Sequence, residues 1–390
     1  MISAPYTTSS AVLPSFERKN VAVLVALFYF FYFALIGVHI IFVPKILSMS
    51  GMSAMEIGII FASAPLVRFA VPFMFLRGFA LDGRTFYLSL GLMALGAVGF
   101  YPSLEHFLAL LSMNILFGIG IALILPYVEV IALEYIGREK YGKIRLFGSI
   151  GFIAVALVLV RWLSSPQIGI GFLIAMALGT LIFGAIIGSK HKNSNTSECD
   201  EQECVFNPFS HIYLWVGFFL MQVSFGPFYN FFTIYITDHG LSLTTTVWLW
   251  SFGVIAEILM FYFQGSLLRR NLYVILWITA FITALRWLMV AFFPNSLPLL
   301  ALSQSLHAFS FALFHTAAIS TLFSLYSARR LSQQFFFGIS YGLGGFFGAL
   351  GAGMLYQYLP TYLFIGGAVA ALCATGAFYV HAYRVNIKSV

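Results

Sequence analysis

The sequence predicts an all-α membrane protein of twelve transmembrane helices arranged as two pseudo-symmetric halves of six. Three observations predict it: apolar runs of spanning length recur from end to end, one polar stretch divides them six and six, and Lys and Arg gather at alternate ends of the runs. Of the 390 residues 61% are hydrophobic and 8% charged, against about 45–50% apolar and about 25% charged in a soluble domain. About 20 apolar residues cross ~30 Å of hydrocarbon at ~1.5 Å per residue. Many such runs, the first of them long and followed by others, exclude a secretory signal ahead of a globular domain.

The first six spans are read near residues 20–46, 54–76, 85–104, 107–136, 142–164 and 166–189. The second six lie near 208–237, 244–267, 271–293, 297–326, 331–357 and 359–384. Between them runs KHKNSNTSECDEQECVF, with the composition of a solvated linker. The expected organisation is a cytoplasmic tail over 1–19, a six-helix half over 20–189, a cytoplasmic linker over 190–207, a second half over 208–384 and a tail over 385–390.

Cytoplasmic loops of membrane proteins carry the excess of Lys and Arg. With both termini in the cytoplasm, 16 of the 20 basic residues fall at or near predicted cytoplasmic ends, leaving Lys45, Arg68, Arg161 and Arg286. The net charge of +7 therefore has a topological origin, and nucleic acid is not an expected partner. The expected location is the inner membrane, with lipid as the surrounding partner. Cys199, Cys204 and Cys373 are too few for a disulfide framework and lack the further ligands of a zinc site. No metal or other cofactor is expected. With no G-x-x-x-x-G-K loop and no catalytic motif, ATP-driven transport and enzyme activity lack support.

Transporters are often built from internal repeats. At an offset of 189, Gly37 pairs with Gly226, Phe42 with Phe231, Gly51 with Gly240 and Ser53 with Ser242; near 191, Ser149-x-Gly151 pairs with Ser340-x-Gly342. The Gly-rich run from Ser340 to Gly353 suits close helix packing. The many aromatic residues face lipid, pack the core or line a cavity, and periodicity does not divide them.

A charged side chain at mid-bilayer costs about 2.5–3.5 kcal/mol or more, so each needs a partner or a wet cavity. The candidates are Arg68, Glu129, Arg145, Glu257, Arg286, His307 and His315. Arg68 and Glu129 each lie nine residues before a cytoplasmic arginine, ~14 Å deep, so they can pair, with Arg145 competing for the same carboxylate. Helical rise places Glu257, Arg286 and His315 in one layer at ~18–22 Å. His307 lies two turns away on the face of His315. One reading makes these charge pairs that fix helix register. The other makes the second-half group a proton relay, since histidine titrates near neutrality.

Pro126-Tyr-Val-Glu129, Tyr141-Gly-Lys-Ile-Arg145-Leu-Phe-Gly-Ser149-Ile-Gly151-Phe152, Gly253-Val-Ile-Ala-Glu257 and Arg286 with Leu306-His307-Ala-Phe309 carry a resemblance. They resemble the branch of the major facilitator superfamily that holds lactose permease and the 3-phenylpropionate permease. The resemblance implies alternating access, a monomer, Glu129 and Arg145 as solute ligands, Phe152 as a stacking platform, and proton coupling by Glu257, Arg286, His307 and His315. Ser310 stands where lactose permease has its proton-carrying glutamate, which moves that task to Glu257 beside a histidine. Arg77-Gly-Phe-Ala-Leu-Asp82-Gly-Arg84 keeps the Asp-Gly-Arg core of the superfamily's gating motif and implies that Asp82 latches the cytoplasmic side. The expected function is proton symport of a small solute: a sugar or glycoside, an aromatic carboxylate or a nucleoside. An uncoupled facilitator and a non-transporting receptor or scaffold are the rivals.

Overall fold

A computed structural model describes residues 15–76, 82–136, 138–190 and 206–388, and these are helical almost throughout. In chain order the helices are α1 Asn20–Met49, α2 Ala54–Leu76, α3 Gly83–Ser103, α4 Phe107–Ile136, α5 Arg138–Trp162 and α6 Pro166–Ser189. They continue as α7 Pro208–Asp238, α8 Leu243–Arg269, α9 Leu272–Phe292, α10 Leu297–Leu325, α11 Leu331–Tyr358 and α12 Pro360–Val385. Among the described residues 11 helices are long and apolar enough to cross a membrane. The remaining one, α2, is 23 residues long. Helix reaches upstream of Asn20 to Ser15, into the expected tail. Most of the linker, with Cys199 and Cys204, and the segment Arg77–Leu81 lie outside the described residues. Cys373 is a free, exposed thiol.

Helix ends follow local chemistry. Asp82 accepts a hydrogen bond from the Thr85 amide at 2.8 Å and so caps α3. Ser53 and Glu56 form a reciprocal capping box ahead of α2, the Ser53 amide donating to Glu56 Oε2 at 2.8 Å and the Glu56 amide to Ser53 Oγ at 3.3 Å. Ser242 caps α8 and Asn271 caps α9. The chain leaves α1 through Gly51 at φ +86° and α7 through Gly240 at φ +90°, a left-handed conformation that glycine adopts without a Cβ clash. These two turns occupy positions paired by the 189-residue offset.

The helix pairings repeat with the same period of six. In the first half α1 packs on α5 and α6, α3 on α4 and α6, and α2 on α4; in the second α7 packs on α11 and α12, α9 on α10 and α12, and α8 on α10. Across the halves α2 meets α11, α5 meets α8, and α1 meets α7. Exchanging the halves maps the first of these contacts onto the second and the third onto itself, as a pseudo-two-fold axis requires.

Glycines set the closest approaches. A Cβ on Gly151 would overlap the Phe30 carbonyl oxygen, and one on Gly344 would fall within 2.7 Å of that of Phe219. Phe30 and Phe219 are 189 residues apart, so Gly344 is the counterpart of Gly151, two residues beyond the Gly342 that sequence pairing selects. Gly342 instead faces Phe69 of α2 across the halves. The Gly-rich run thus serves two neighbours, as close packing by small residues requires. Three π-helical turns, Val38–Phe42, Ala308–Leu313 and Phe337–Gly344, interrupt α1, α10 and α11. Such turns are frequent at functional sites.

Candidate functional site

The second half holds a buried polar chain in otherwise apolar surroundings. Arg286 of α9 has no exposed surface. Its NH1 donates to His307 Nδ1 at 2.9 Å and to Ser310 Oγ at 3.1 Å, and its NH2 to Gln304 Oε1 at 3.0 Å. All three acceptors are on α10. The guanidinium also lies 4.3 Å from the Trp287 ring and 4.4 Å from that of Phe228, two cation–π contacts that partly replace hydration. Among the described residues its Nε is buried without a partner.

An arginine donates only, so the hydrogen bond to His307 Nδ1 requires that nitrogen to be bare and places the ring proton on Nε2. His307 Nε2 in turn lies 3.7 Å from Glu257 Oε2 on α8. The chain therefore runs from a fixed cation through a neutral imidazole to a carboxyl group. Its ends differ in access: the side chain of His307 is 7% exposed and that of Glu257 21%. Glu257 is the open member.

Counting helical rise puts His315 in the layer of Glu257 and Arg286, whereas the structure gives that position to His307. Depth counting assumes straight helices entering at one level, and α10 carries the π-helical turn Ala308–Leu313 between the two histidines. The expected shared face is present: His307, Phe311 and His315 stack in a column with ring centroids 5.4 and 6.2 Å apart. Phe311 separates the histidines, and His315 Nδ1 bonds the Tyr341 hydroxyl of α11 at 2.9 Å.

In the first half Glu129 and Arg145 come together, with Arg145 Nε 3.7 Å from Glu129 Oε1. Tyr141 donates to the same oxygen at 3.1 Å, and the Arg145 guanidinium lies 4.0 Å from the Phe33 ring and 5.2 Å from that of Tyr29. The Tyr29 hydroxyl is buried beside that of Tyr141. Phe152, two turns along α5, is half-buried with its ring against Gly37 of α1. The α5–α8 contact brings Arg145 within electrostatic reach of Glu257, so the two clusters face each other across the halves.

Arg68 does not pair with Glu129, whose carboxylate goes to Arg145. It is half-buried, and among the described residues no hydrogen bond or ion pair reaches it. Its neighbour Phe69 packs against Gly342 of α11, which puts this part of α2 at the contact between the halves. Asp82 is exposed and caps α3. The amide of Thr85 holds its carboxyl below the ordinary range.

Sequence reading missed two groups of residues. Gln304 is a third acceptor for Arg286. His39, in the π-helical turn of α1, bonds Asn114 Oδ1 at 3.1 Å, and the Asn114 amide donates to Ser63 Oγ at 2.9 Å and the Ile60 carbonyl at 2.6 Å. A search for any polar side chain inside an apolar span, rather than for charges alone, would have found them.

Residues 23–365 match the family described as MFS_1 like family. The chain is 25% identical to the probable 3-phenylpropionic acid transporter of Escherichia coli (strain K12), covering 90% of this chain and 95% of that protein. Among solved structures it is similar to a mutant of the nucleoside transporter NupG, with a TM-score of 0.78, 14% identity, and coverage of 93% of this chain and 100% of that one. It is also similar to the POT family transporter PepTSo, with a TM-score of 0.75, 10% identity, and coverage of 95% and 98%.

Proposed function

The chain belongs to the MFS_1 like family of major facilitator transporters, and on that premise we propose that it is a proton-coupled symporter of a small aromatic carboxylate. It works by alternating access in the inner membrane with both termini in the cytoplasm, as two halves bounded at 20–189 and 208–384.

The observation that carries the coupling is the buried chain Arg286–His307–Glu257 with a single open member. His307 is held neutral by its bond from Arg286, so proton exchange falls to the Glu257 carboxyl. When ionised, Glu257 attracts Arg145 across the α5–α8 contact; protonation removes that attraction and leaves Arg145 to Glu129 alone. The proton thereby governs a tie between the halves, which is what coupling requires: differential interaction with the two states. His315 with Tyr341 lines the same interface toward the far end of the ring column.

Arg68 supports the solute class. A cation between the halves with no partner of its own is costly in the membrane, and a bound carboxylate would repay it with charge-assisted hydrogen bonds. Tyr229 and Tyr341, half-buried at the same interface, offer ring faces to an aromatic solute. The likeness to a protein described as a 3-phenylpropionic acid transporter points the same way. Glu129, Arg145 and Phe152 contact the rest of the solute in this reading. Ser310, which carries no proton, favours a second reading as an uncoupled facilitator.

Uptake by proteoliposomes under a pH gradient tests both parts, with 3-phenylpropionate, its amide, a glycoside and a nucleoside as solutes. We expect the acid to accumulate and to alkalinise the medium. Glu257→Gln should lose gradient-driven accumulation by ~10-fold or more while keeping solute exchange. Arg68→Ala should lose ~10–100-fold of the preference for acid over amide, the worth of one hydrogen bond to a charged group. Undiminished accumulation by Glu257→Gln would sink the coupling, and equal transport of acid and amide would sink the carboxylate.

A further inference from the structure

The repeat offset of 189 sets His39 of α1 opposite Phe228 of α7, the ring that meets the Arg286 guanidinium. The two halves thus carry buried polar groups at matching places, and their wiring differs. The Ile60 carbonyl can only accept, so the Asn114 atom 2.6 Å from it is the amide nitrogen. That turns Asn114 Oδ1 toward His39 Nε2 at 3.1 Å. This oxygen also only accepts, so neutral His39 carries its proton on Nε2 and leaves Nδ1 bare. Ser63 completes the arrangement, donating to the Ile60 carbonyl at 2.7 Å and accepting from Asn114. Among the described residues no hydrogen bond reaches His39 Nδ1, and 8% of the residue remains exposed. His307 is the reverse, since Arg286 already occupies its Nδ1.

We propose that His39 is a proton-binding site of the first half, filled when a carboxylate solute binds and emptied when it leaves, so that two protons travel with each solute. The proposal rests on Arg68 as the partner of the carboxylate and on Glu257 as the carrier of the other proton. A proton on Nδ1 breaks no hydrogen bond and makes the one from Nε2 to Asn114 charge-assisted. The rings of Phe61 and Phe117 pack against the imidazole, centroids 5.0 and 4.9 Å away, and offer π faces to an imidazolium. A positive charge here is nevertheless costly while Arg68, the cation within electrostatic reach, stands unpaired.

The other charged and titratable groups on the surrounding helices are engaged or distant. Lys45 Nζ lies 3.6 Å from Asp238 Oδ1 of α7, and His239 bonds the Tyr235 carbonyl. Glu56 is tied into its capping box, and Glu129 holds Arg145. Tyr32, two turns along α1, donates to the Ile121 carbonyl at 3.2 Å. Asp82 and Arg84 lie at the start of α3, whereas Phe100, which meets His39, lies near its end. Arg161 is exposed at the end of α5. A carboxylate on Arg68 therefore removes the one repulsion that His39 meets, and reciprocity makes the proton strengthen solute binding by the same factor.

One proton per carboxylate moves no net charge, whereas two carry one positive charge inward. Proteoliposomes loaded with potassium and treated with valinomycin, at equal pH on both sides, test the difference with 3-phenylpropionate as solute. Wild type should accumulate the acid ~10-fold or more under an inside-negative potential alone, taking up about two protons per acid. His39→Gln, whose amide keeps a donor for Asn114, should take up about one and lose the response to potential while still following a pH gradient. Imidazole nitrogen resonances of wild type should show one new imidazolium with the acid and none with its amide, a readout that does not depend on how the variant folds. About one proton per acid in wild type, no new imidazolium, or a His39→Gln protein that keeps the response would each overturn the His39 site. Accumulation under a pH gradient would then leave the symporter reading standing. Failure to accumulate the acid under either gradient would overturn both.

Discussion

Arg286 shows how a membrane interior keeps a cation without a carboxylate in contact. Three neutral acceptors on one helix and two ring faces surround it, and this set suits a planar fork of donors better than a single ammonium. Arg286→Lys should therefore fail although it keeps the charge. Lysine cannot reach Gln304 and the His307–Ser310 pair together, and one lost hydrogen bond to a charged group is worth ~1.5–3 kcal/mol. We expect at least a ~10-fold drop in coupled transport, together with a lower melting temperature of the purified protein. Transport and melting equal to wild type would mean that the fork geometry is immaterial. Freeing His307 Nδ1 would also release its tautomer, so pH dependence of transport should change in the lysine variant if Glu257 acts through the imidazole. Residue identities were legible here, since polar groups in apolar spans stand out. Between the two histidines the readings divided: the resemblance joined His307 to Arg286 and Glu257, whereas depth counting put His315 in their layer.

At the scale of elements the glycines divide into those at helix contacts and those facing open space, and the two kinds should respond oppositely to alanine. Gly58 meets backbone, with a Cβ at 2.9 Å from the Gly353 Cα and 3.0 Å from the Ala349 carbonyl oxygen. Backbone cannot move aside as a flexible side chain can, so Gly58→Ala should force α2 from α11 and slow transport several-fold. Gly91 in α3 has nothing within 4 Å of its Cβ position. Gly91→Ala should raise stability by ~0.5–1 kcal/mol through helix propensity and leave transport unchanged. Parallel thermal melts and uptake assays separate the two, and equal effects would refute the division. The repeat offset found the matching turns at Gly51 and Gly240 because a left-handed exit from a helix demands glycine. It misplaced the partner of Gly151 by two residues because many glycines in α11 make several registers look alike.

At the scale of the molecule the contacts α2–α11, α5–α8 and α1–α7 hold together two halves whose chains join only through the linker. Halves expressed as separate chains cut within 191–205 should assemble in the membrane and restore a measurable part of uptake. A protein whose helices exchanged between halves would not tolerate the cut, and complete absence of assembly by co-purification would count against the two-half organisation. Lys45 belongs to this scale as well. Its position was an exception to the distribution of basic residues, and only the α1–α7 contact gives the exception a partner.

The sequence by itself determined the all-helical membrane class, the order and approximate bounds of the spans, the repeat of six and the roster of charges inside the bilayer. Those features depend on composition and on helical rise, which are written along one dimension. Tertiary structure decided the pairings: Glu129 with Arg145 in place of Arg68, His307 in place of His315, Gln304 and Ser310 on Arg286, and Lys45 on Asp238. Rise per residue gives the depth of a side chain but not the direction in which it points. That direction depends on tilt, on the neighbour across the contact and on π-helical turns that shift every later residue around the axis, and these exist only once the helices have packed.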